Sequence, residues 1–325
     1  MEFFPEFKPF PLIRGHFSQT IIGSFVNLYT EPPSEQKLID LPDGDKISLE
    51  ITTPPLWKEG DLIVMLIHGF CGSHQSSYMR RITNRLNRLG TKVIRFNLRG
   101  CGSGKGLARK IYINSGDEDV HRALRKIKEE YPDSPVILIG FSLGGNIAMK
   151  FAGERGAEIT RLVEEIIAVS PPVDVEQSVY LLSDDRNWIY ERYLTDQLIK
   201  DAYFRHSHFP DLPPLNFPKR MGILDFHEMY LAPQCGFNSA KEYHIACSSI
   251  YLIGNISVPC KILFAKDDPI VNADSLDNVK YPANVQVYKS PGGGHMGFLS
   301  RPYRKVGIRW LDGVLLSWIF KTPFF

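Results

Sequence analysis

A five-residue pattern near the middle of the chain constrains the fold more than any other feature. The sequence GFSLG at residues 140–144 directly follows the apolar run VILI at residues 136–139, which predicts a buried strand that turns sharply into a helix at Ser142. Glycines suit both ends of such a turn, because a Cβ atom would clash where strand and helix approach, and the serine itself would be strained. A G-x-S-x-G pattern in this context is typical of a nucleophile elbow, with the helix amides facing the serine.

Composition and charge are those of an ordinary globular protein. The chain has 325 residues, of which 43% are hydrophobic and 23% charged, and its formal net charge is +2. A balance this close to neutral indicates neither a nucleic acid nor an anionic membrane as a partner. The five cysteines form no C-x-x-C pair, no apolar run is long enough to cross a membrane, and the N-terminus does not resemble a secretory signal. We therefore expect no metal, no integral membrane segment and a location in the reducing cytoplasm.

Apolar runs and helical patterns alternate along most of the chain, which predicts an α/β fold with a mostly parallel central sheet flanked by helices. The predicted strands are Ser48–Thr52, Leu62–Ile67, Lys92–Asn97, Val136–Phe141, Ile166–Ser170, Lys261–Ala265 and Val285–Lys289. The predicted helices are Ser77–Leu89, Asp117–Glu130, Leu143–Glu154 and Arg304–Ile319.

Two segments depart from this alternation within what we expect to be a single domain, residues 1–325. Residues 1–36 predict an N-terminal arm on the domain surface. Residues 172–258, approximately, are rich in aromatic residues and prolines, with helical stretches at Val175–Leu182 and Asn187–Tyr203 and no clear strand. Because this segment lies between two predicted strands, we expect a helical cap inserted over the C-terminal edge of the sheet, where open α/β sheets bind ligands.

A serine nucleophile needs a base and an acid that orients the base, and in this architecture both should follow it in the chain. Downstream of Ser142, an Asp-Asp-Pro stretch and a Gly-Gly-Gly-His stretch each follow a predicted strand. His295 is the candidate base, because three glycines before it allow a close backbone approach. Asp268, which precedes Pro269, is the favoured acid, and Asp267 remains the alternative.

The oxyanion formed during acyl transfer needs two amide donors. One is expected directly after the serine, and the other in the loop that follows an earlier strand. We assign them to the backbone N–H groups of Leu143 and Phe70. His68, in the same loop as Phe70, is interpreted as a structural residue that braces it.

Three other features have simpler interpretations than a second active site. The glycine-rich loop at residues 97–104 lacks the Lys-Ser/Thr ending of a phosphate-binding loop, and we expect Arg99 to brace its neighbours. Cys71 would need a base of its own to act as a nucleophile. The H-x-x-x-x-D pattern from His206 to Asp211 lies in a proline-rich stretch and is interpreted as chance.

Taken in order, seven groups of residues resemble the YheT-type branch of the α/β-hydrolases, also called the AB hydrolase 4 family, from about residue 10 to 320. They are His16…Gln19-Thr20-Ile21, His68-Gly69-Phe70-Cys71-Gly72-Ser73, Phe96-Asn97-Leu98-Arg99-Gly100-Cys101, Ile111-Tyr112…Ser115-Gly116, Gly140-Phe141-Ser142-Leu143-Gly144-Gly145-Asn146, Ala265-Lys266-Asp267-Asp268-Pro269 and Gly293-Gly294-His295…Gly297-Phe298.

The resemblance implies a triad of Ser142, Asp268 and His295 and an activity on carboxylic esters. It also implies similarity to the bacterial members, which lack the N-terminal membrane anchor of eukaryotic ones. The chain differs at Phe70-Cys71, where the family has a leucine-containing turn, and this should alter the shape of the pocket more than its chemistry.

The predicted function is therefore that of a serine hydrolase that cleaves carboxylic esters through an acyl-enzyme, without a metal or organic cofactor. The expected partner is a small-molecule ester with an apolar acyl or alcohol part. Two alternatives remain open at this point. An acyltransferase would pass the same acyl group to another acceptor, and a non-catalytic binding protein would keep only the fold.

Overall fold

A computed structural model describes residues 4–25, 29–111 and 116–325. Its central sheet has eight strands: β1 (Glu35–Asp40), β2 (Lys46–Thr52), β3 (Ile63–Ile67), β4 (Lys92–Asn97), β5 (Val136–Phe141), β6 (Glu165–Val169), β7 (Cys260–Ala265) and β8 (Val285–Ser290). A separate hairpin consists of β9 (Leu299–Tyr303) and β10 (Gly307–Arg309). The helices are α1 (His16–Phe25), α2 (Ser77–Arg88), α3 (Gly116–Glu130), α4 (Leu143–Arg155), α5 (Val175–Leu182), α6 (Trp188–His208), α7 (Ile223–Phe226), α8 (Ala232–Gln234), α9 (Ala240–Cys247) and α10 (Trp310–Phe320).

The strands of the central sheet lie in the order β1-β2-β4-β3-β5-β6-β7-β8. The pairs β1–β2 and β2–β4 are antiparallel, and every pair from β4 to β8 is parallel. Strands β3 to β7 are buried along their whole length, because helices cover both faces of a parallel sheet. Their carboxyl ends therefore meet at one edge, with β5 near the middle.

The sequence-based fold class is confirmed, and the structure has all seven predicted strands, with ends that differ by at most two residues. β1 was not predicted, because its sequence EQKLID lies at the exposed edge of the sheet and alternates only weakly. The hairpin β9–β10 was missed as well. The predicted helix Arg304–Ile319 is wrong at its start, since α10 begins at Trp310. Gly307 has φ +63° there, a conformation that a right-handed helix does not contain.

The chain between β6 and β7 contains helices α5 to α9 and, among the residues described, no strand. Apolar side chains of these helices, such as Val179, Leu198 and Ile223, pack into the larger of two hydrophobic clusters. The predicted arm of residues 1–36 contains helix α1, and its last two residues begin β1. Within the parts of the chain that the structure describes, we find no helix with the length and apolar character to cross a membrane.

A buried ion pair connects α2 to α10 on one face of the sheet. The Arg81 guanidinium donates through Nε to both carboxylate oxygens of Asp312 at 3.0 Å, and Nε of Arg85 lies 2.7 Å from the same carboxylate. The side chains of Arg81 and Asp312 are 2% and 0% exposed. Removing one partner of such a pair leaves a buried charge without compensation.

We expect Asp312→Ala to lower the free energy of unfolding by about 3–5 kcal/mol, because two arginines lose their buried partner. Urea unfolding monitored by circular dichroism measures this loss. The control is Asp211→Ala, which removes the exposed partner of Arg109 and should cost less than about 1 kcal/mol. Equal losses in the two variants would show that burial does not govern the contribution of the Asp312 pair.

Candidate active site

Ser142 lies at a sharp turn between β5 and α4. Its backbone has φ +50° and ψ −121°, a strained conformation for a residue with a side chain. A Cβ atom at Gly140 would overlap the carbonyl oxygen of Gly144, and one at Gly144 would lie 2.5 Å from the carbonyl oxygen of His68. Both positions therefore require glycine, as the G-x-S-x-G pattern predicts.

Three side chains from three loops form one line of hydrogen bonds. The Oγ atom of Ser142 lies 2.9 Å from Nε2 of His295, and Nδ1 of His295 lies 2.9 Å from Oδ2 of Asp268. The other carboxylate oxygen of Asp268 accepts the backbone N–H groups of Ile270 and Val271 at 2.9 and 3.0 Å. Since an ionised carboxylate can only accept, the ring proton lies on Nδ1, and Nε2 is available to accept the serine proton.

Asp267 has a different partner from its neighbour. Its Oδ1 atom accepts the backbone N–H of Gly294 at 2.8 Å, and burial raises the pKa of its carboxyl. The structure thus brings Asp268 to the imidazole and Asp267 to the backbone of the loop that carries His295. Of the two aspartates that the sequence left open, Asp268 is the one within hydrogen-bond distance of the His295 imidazole.

The loop after β3 lies against the serine. A Cβ atom at Gly69 would come within 3.1 Å of the Cβ atom of Ser142, and the Gly69 N–H donates to the Tyr78 hydroxyl at 2.8 Å. Phe70 follows Gly69 directly, and Leu143 is the first residue of α4, whose first amides have no carbonyl one turn earlier in the helix. Phe70 and Leu143 both line the same cavity as Ser142.

His68 braces this loop as a neutral imidazole. Its Nε2 atom accepts the backbone N–H of Leu98 at 3.2 Å, so the ring proton is on Nδ1, which donates to the carbonyl oxygen of Gly69 at 2.8 Å. Burial lowers the pKa of His68 to about 4, because the charged form has no water around it. Both ring nitrogens are engaged, which agrees with the structural role predicted for this residue.

A cavity of about 670 Å³ opens onto Ser142 and His295. Its wall is mostly apolar, and three parts of the chain contribute much of it. Helix α1 contributes Phe17, Thr20, Ile21 and Gly23, the loop after β3 contributes Phe70 and Cys71, and the helices between β6 and β7 contribute Val175, Val179, Leu182, Tyr190, Leu194, Ile223 and Tyr243. Pockets of this size and character bind small organic molecules.

Sequence reasoning did not anticipate the role of α1. The Thr20 hydroxyl accepts the backbone N–H of His295 at 2.9 Å, and the side chain of Gln19 bonds the backbone of Leu299 in both directions. The only signal was the presence of Gln19 and Thr20 among the residues that carry the family resemblance. Within that set, Tyr112 and Ser115 lie outside the described residues.

The remaining candidates from the sequence have structural partners. Arg99 pairs with Asp119 of α3 and with Asp43 and Asp45 between β1 and β2, and so connects its own loop to these two segments. His206 contacts the Pro213 carbonyl and the Tyr230 hydroxyl, and Asp211 pairs with Arg109.

Cys71 is no rival nucleophile, because burial raises the pKa of its thiol well above the usual value and keeps it protonated. No group of three or more His, Cys, Asp or Glu side chains suited to a metal ion occurs in residues 4–25, 29–111 and 116–325.

Comparisons with known proteins agree with the α/β fold described above. The family described as the alpha/beta hydrolase fold matches residues 63–302. A candidate esterase of Escherichia coli, YheT, is 26% identical over 318 residues, which cover 97% of this chain and 93% of YheT. The monoacylglycerol lipase of Saccharomyces cerevisiae is 25% identical over 279 residues, which cover 83% of this chain but 59% of the lipase. The solved structure of the Pyrococcus furiosus esterase Pf2001 shares the fold, with a TM-score of 0.53, 17% identity and coverage of 82% and 86%.

We expect His68 to make the folding stability of the protein depend on pH. Its pKa is about 4 in the folded chain and about 6.5 in an unfolded one, so the unfolded chain binds the proton first as the pH falls. Stability from the neutral imidazole is therefore complete above about pH 6.5 and is lost towards pH 4. Urea unfolding at pH 7 and pH 5 should show a loss to which His68 contributes about 2 kcal/mol.

The variant His68→Gln should be less stable at pH 7, but its further loss between pH 7 and pH 5 should be smaller than that of the wild type by this amount. An identical loss in the two proteins would contradict the buried, neutral state of His68.

Proposed function

The chain belongs to the alpha/beta hydrolase family, in its YheT-like branch, and we propose that it cleaves carboxylic esters through a covalent acyl-enzyme on Ser142. The relatives YheT and the monoacylglycerol lipase are both named for activity on esters, and the chain is a carboxylic ester hydrolase. The main support for an acyl-enzyme on Ser142 is the unbroken line of hydrogen bonds from Asp268 through His295 to Ser142. This line ends at the wall of a cavity.

In the first half of the reaction, Ser142 Oγ attacks the carbonyl carbon of the ester while its proton moves to Nε2 of His295. Asp268 holds the ring in the required tautomer and stabilises the imidazolium that forms. The tetrahedral intermediate collapses, the bond to the alcohol oxygen breaks, and His295 donates its proton to the leaving alcohol. In the second half, His295 takes a proton from water, the hydroxide attacks the acyl-enzyme, and the acid leaves as the proton returns to Ser142.

The backbone N–H groups of Phe70 and Leu143 are proposed to bind the oxyanion. The close contact between Gly69 and Ser142 supports this assignment, as does the position of Leu143 at the N-terminus of α4, where the helix dipole favours negative charge. The bonds from His68 and Tyr78 to Gly69 would keep the first of these amides in place.

We propose that residues 172–258, approximately, act as a helical cap that determines which esters enter. Apolar side chains of this segment, among them Val175, Leu182 and Ile223, line the cavity, so the proposed substrate has an apolar acyl or alcohol part. None of the five cysteines, all of which lie in the described parts of the chain, forms a disulfide, and we propose on this ground a reducing compartment such as the cytoplasm. Transfer of the acyl group to an alcohol instead of water would use the same acyl-enzyme, and product analysis with an added alcohol distinguishes the two reactions.

We expect Ser142→Ala and His295→Ala to lower kcat for p-nitrophenyl esters by roughly 10⁴- to 10⁶-fold, because each removes a group that the chemical step requires. Labelling by a fluorophosphonate probe should be lost in the first variant and strongly slowed in the second. A series of esters with increasing acyl length then shows which chain the cavity prefers.

Two matched pairs serve as controls for this prediction. Ser207→Ala removes an exposed hydroxyl that bonds the carbonyl of Phe204 and should keep wild-type activity. Asp268→Asn should lower kcat by about 10⁴-fold, whereas Asp267→Asn keeps an acceptor for the Gly294 N–H and should lose less than about 10-fold. Full activity of folded Ser142→Ala would contradict the proposed nucleophile.

A further inference from the structure

The loop that carries His295 has an unusually strained backbone. Four of its residues have positive φ angles: Gly293 (+140°), Gly294 (+56°), Met296 (+65°) and Phe298 (+43°). For Met296 and Phe298 such angles are strained and persist only when the surroundings impose them. Two hydrogen bonds lie within the loop, from the N–H groups of Gly297 and Phe298 to the carbonyl oxygen of Gly293. The position of the imidazole therefore depends on what holds the loop from outside.

Helix α1 packs directly against this loop. A Cβ atom at Gly294 would lie 2.6 Å from both the His16 carbonyl oxygen and the Thr20 hydroxyl, and one at Gly23 would lie 2.6 Å from the Cα atom of Gly297. Backbones approach this closely only where glycine is present. The contact joins segments that are more than 270 residues apart in the sequence.

Two side chains of α1 complete the contact. Thr20 Oγ1 accepts the N–H of His295 itself at 2.9 Å, while its own proton goes to the His16 carbonyl at 2.8 Å. Fully buried Gln19 donates to the Leu299 carbonyl at 2.9 Å and accepts the Leu299 N–H at 2.7 Å. The hydrogen bond of Thr20 is the one that reaches the backbone of the proposed base, and Gln19 secures the far end of the loop.

We propose that Thr20 is a positioning residue for His295, and that α1 thereby belongs to the active site. The inference rests on the proposed function and deepens it, because it names a residue outside the triad on which proton transfer depends. Thr20 acts through His295, whose Nε2 atom must stay within hydrogen-bond distance of Ser142. A displacement of about 1 Å can cost about 100-fold in rate. Because α1 also lines the cavity, the element that holds the base is in contact with the substrate site.

The test compares three substitutions in α1. Thr20→Val keeps the shape of the side chain and removes the hydroxyl, and should lower kcat for a p-nitrophenyl ester by about 10- to 100-fold, with KM changed by less than about 3-fold. Thr20→Ser retains the hydroxyl and should keep kcat within about 3-fold of the wild type. Ser18→Ala removes a hydroxyl of the same helix that bonds the Gly15 carbonyl on the exposed side, and should leave both constants unchanged.

If the substitution of Thr20 also affects folding, a variant at another position of α1 tests the same contact. Gly23→Ala places a methyl group against Gly297 and should push α1 from the loop, with loss of kcat but an intact circular dichroism spectrum. The rate of fluorophosphonate labelling, measured on the folded fraction, should fall in parallel with kcat.

The outcomes separate this inference from the proposed function. An active wild type, an inactive Ser142→Ala and a Thr20→Val variant with wild-type kcat would overturn the inference and leave the proposed function intact. Equal losses in Thr20→Val and Thr20→Ser would also overturn it, because the hydroxyl would then not matter. A wild type that neither hydrolyses esters nor reacts with the probe would contradict the proposed function and the inference together.

Discussion

The contact between the backbones of Gly140 and Gly144 is the constraint on which the rest of the site depends. It allows β5 to turn into α4 within one residue, which exposes Ser142 at the edge of the sheet and directs the first amides of α4 towards it. Because β5 pairs with β3 on one side and β6 on the other, loops from both halves of the sheet reach the serine. The loop after β3 supplies the proposed oxyanion amide, and those after β7 and β8 supply Asp268 and His295.

The site combines strained backbone conformations with well-packed neighbouring residues. Ser142, Met296 and Phe298 have positive φ angles, and each is held by neighbours that are buried or hydrogen-bonded. Phe298 is itself fully buried and stacks on Trp310 of α10, with ring centroids 5.7 Å apart. The strain is thus balanced by packing on the far side of the loop, a common arrangement at functional sites. It explains why a helix from the start of the chain and one from its end both contact the loop that carries the proposed base.

The features that could be predicted from the sequence are those that a short stretch of sequence determines. Apolar runs made β3 to β7 recognisable, and the order of serine, acid and histidine followed from the loops after the strands. The acid was ambiguous, since Asp267 and Asp268 are adjacent and only the path of the loop decides which one meets His295. The contribution of Thr20 could not be inferred, because it depends on a contact across 275 residues. The start of α10 was misjudged for a similar reason, since residues 307–309 pair with β9 instead of continuing the helix.

The central proposal for this protein is that Ser142 carries the acyl group during turnover. Intact-protein mass spectrometry of samples quenched in acid during hydrolysis of a p-nitrophenyl ester tests it directly. We expect a species heavier by the mass of the acyl group, with the adduct on the peptide that contains Ser142, because the acyl-enzyme must form before water attacks. Steady turnover without such an adduct, together with a peptide around Ser142 that stays unmodified at every quench time, would contradict the account.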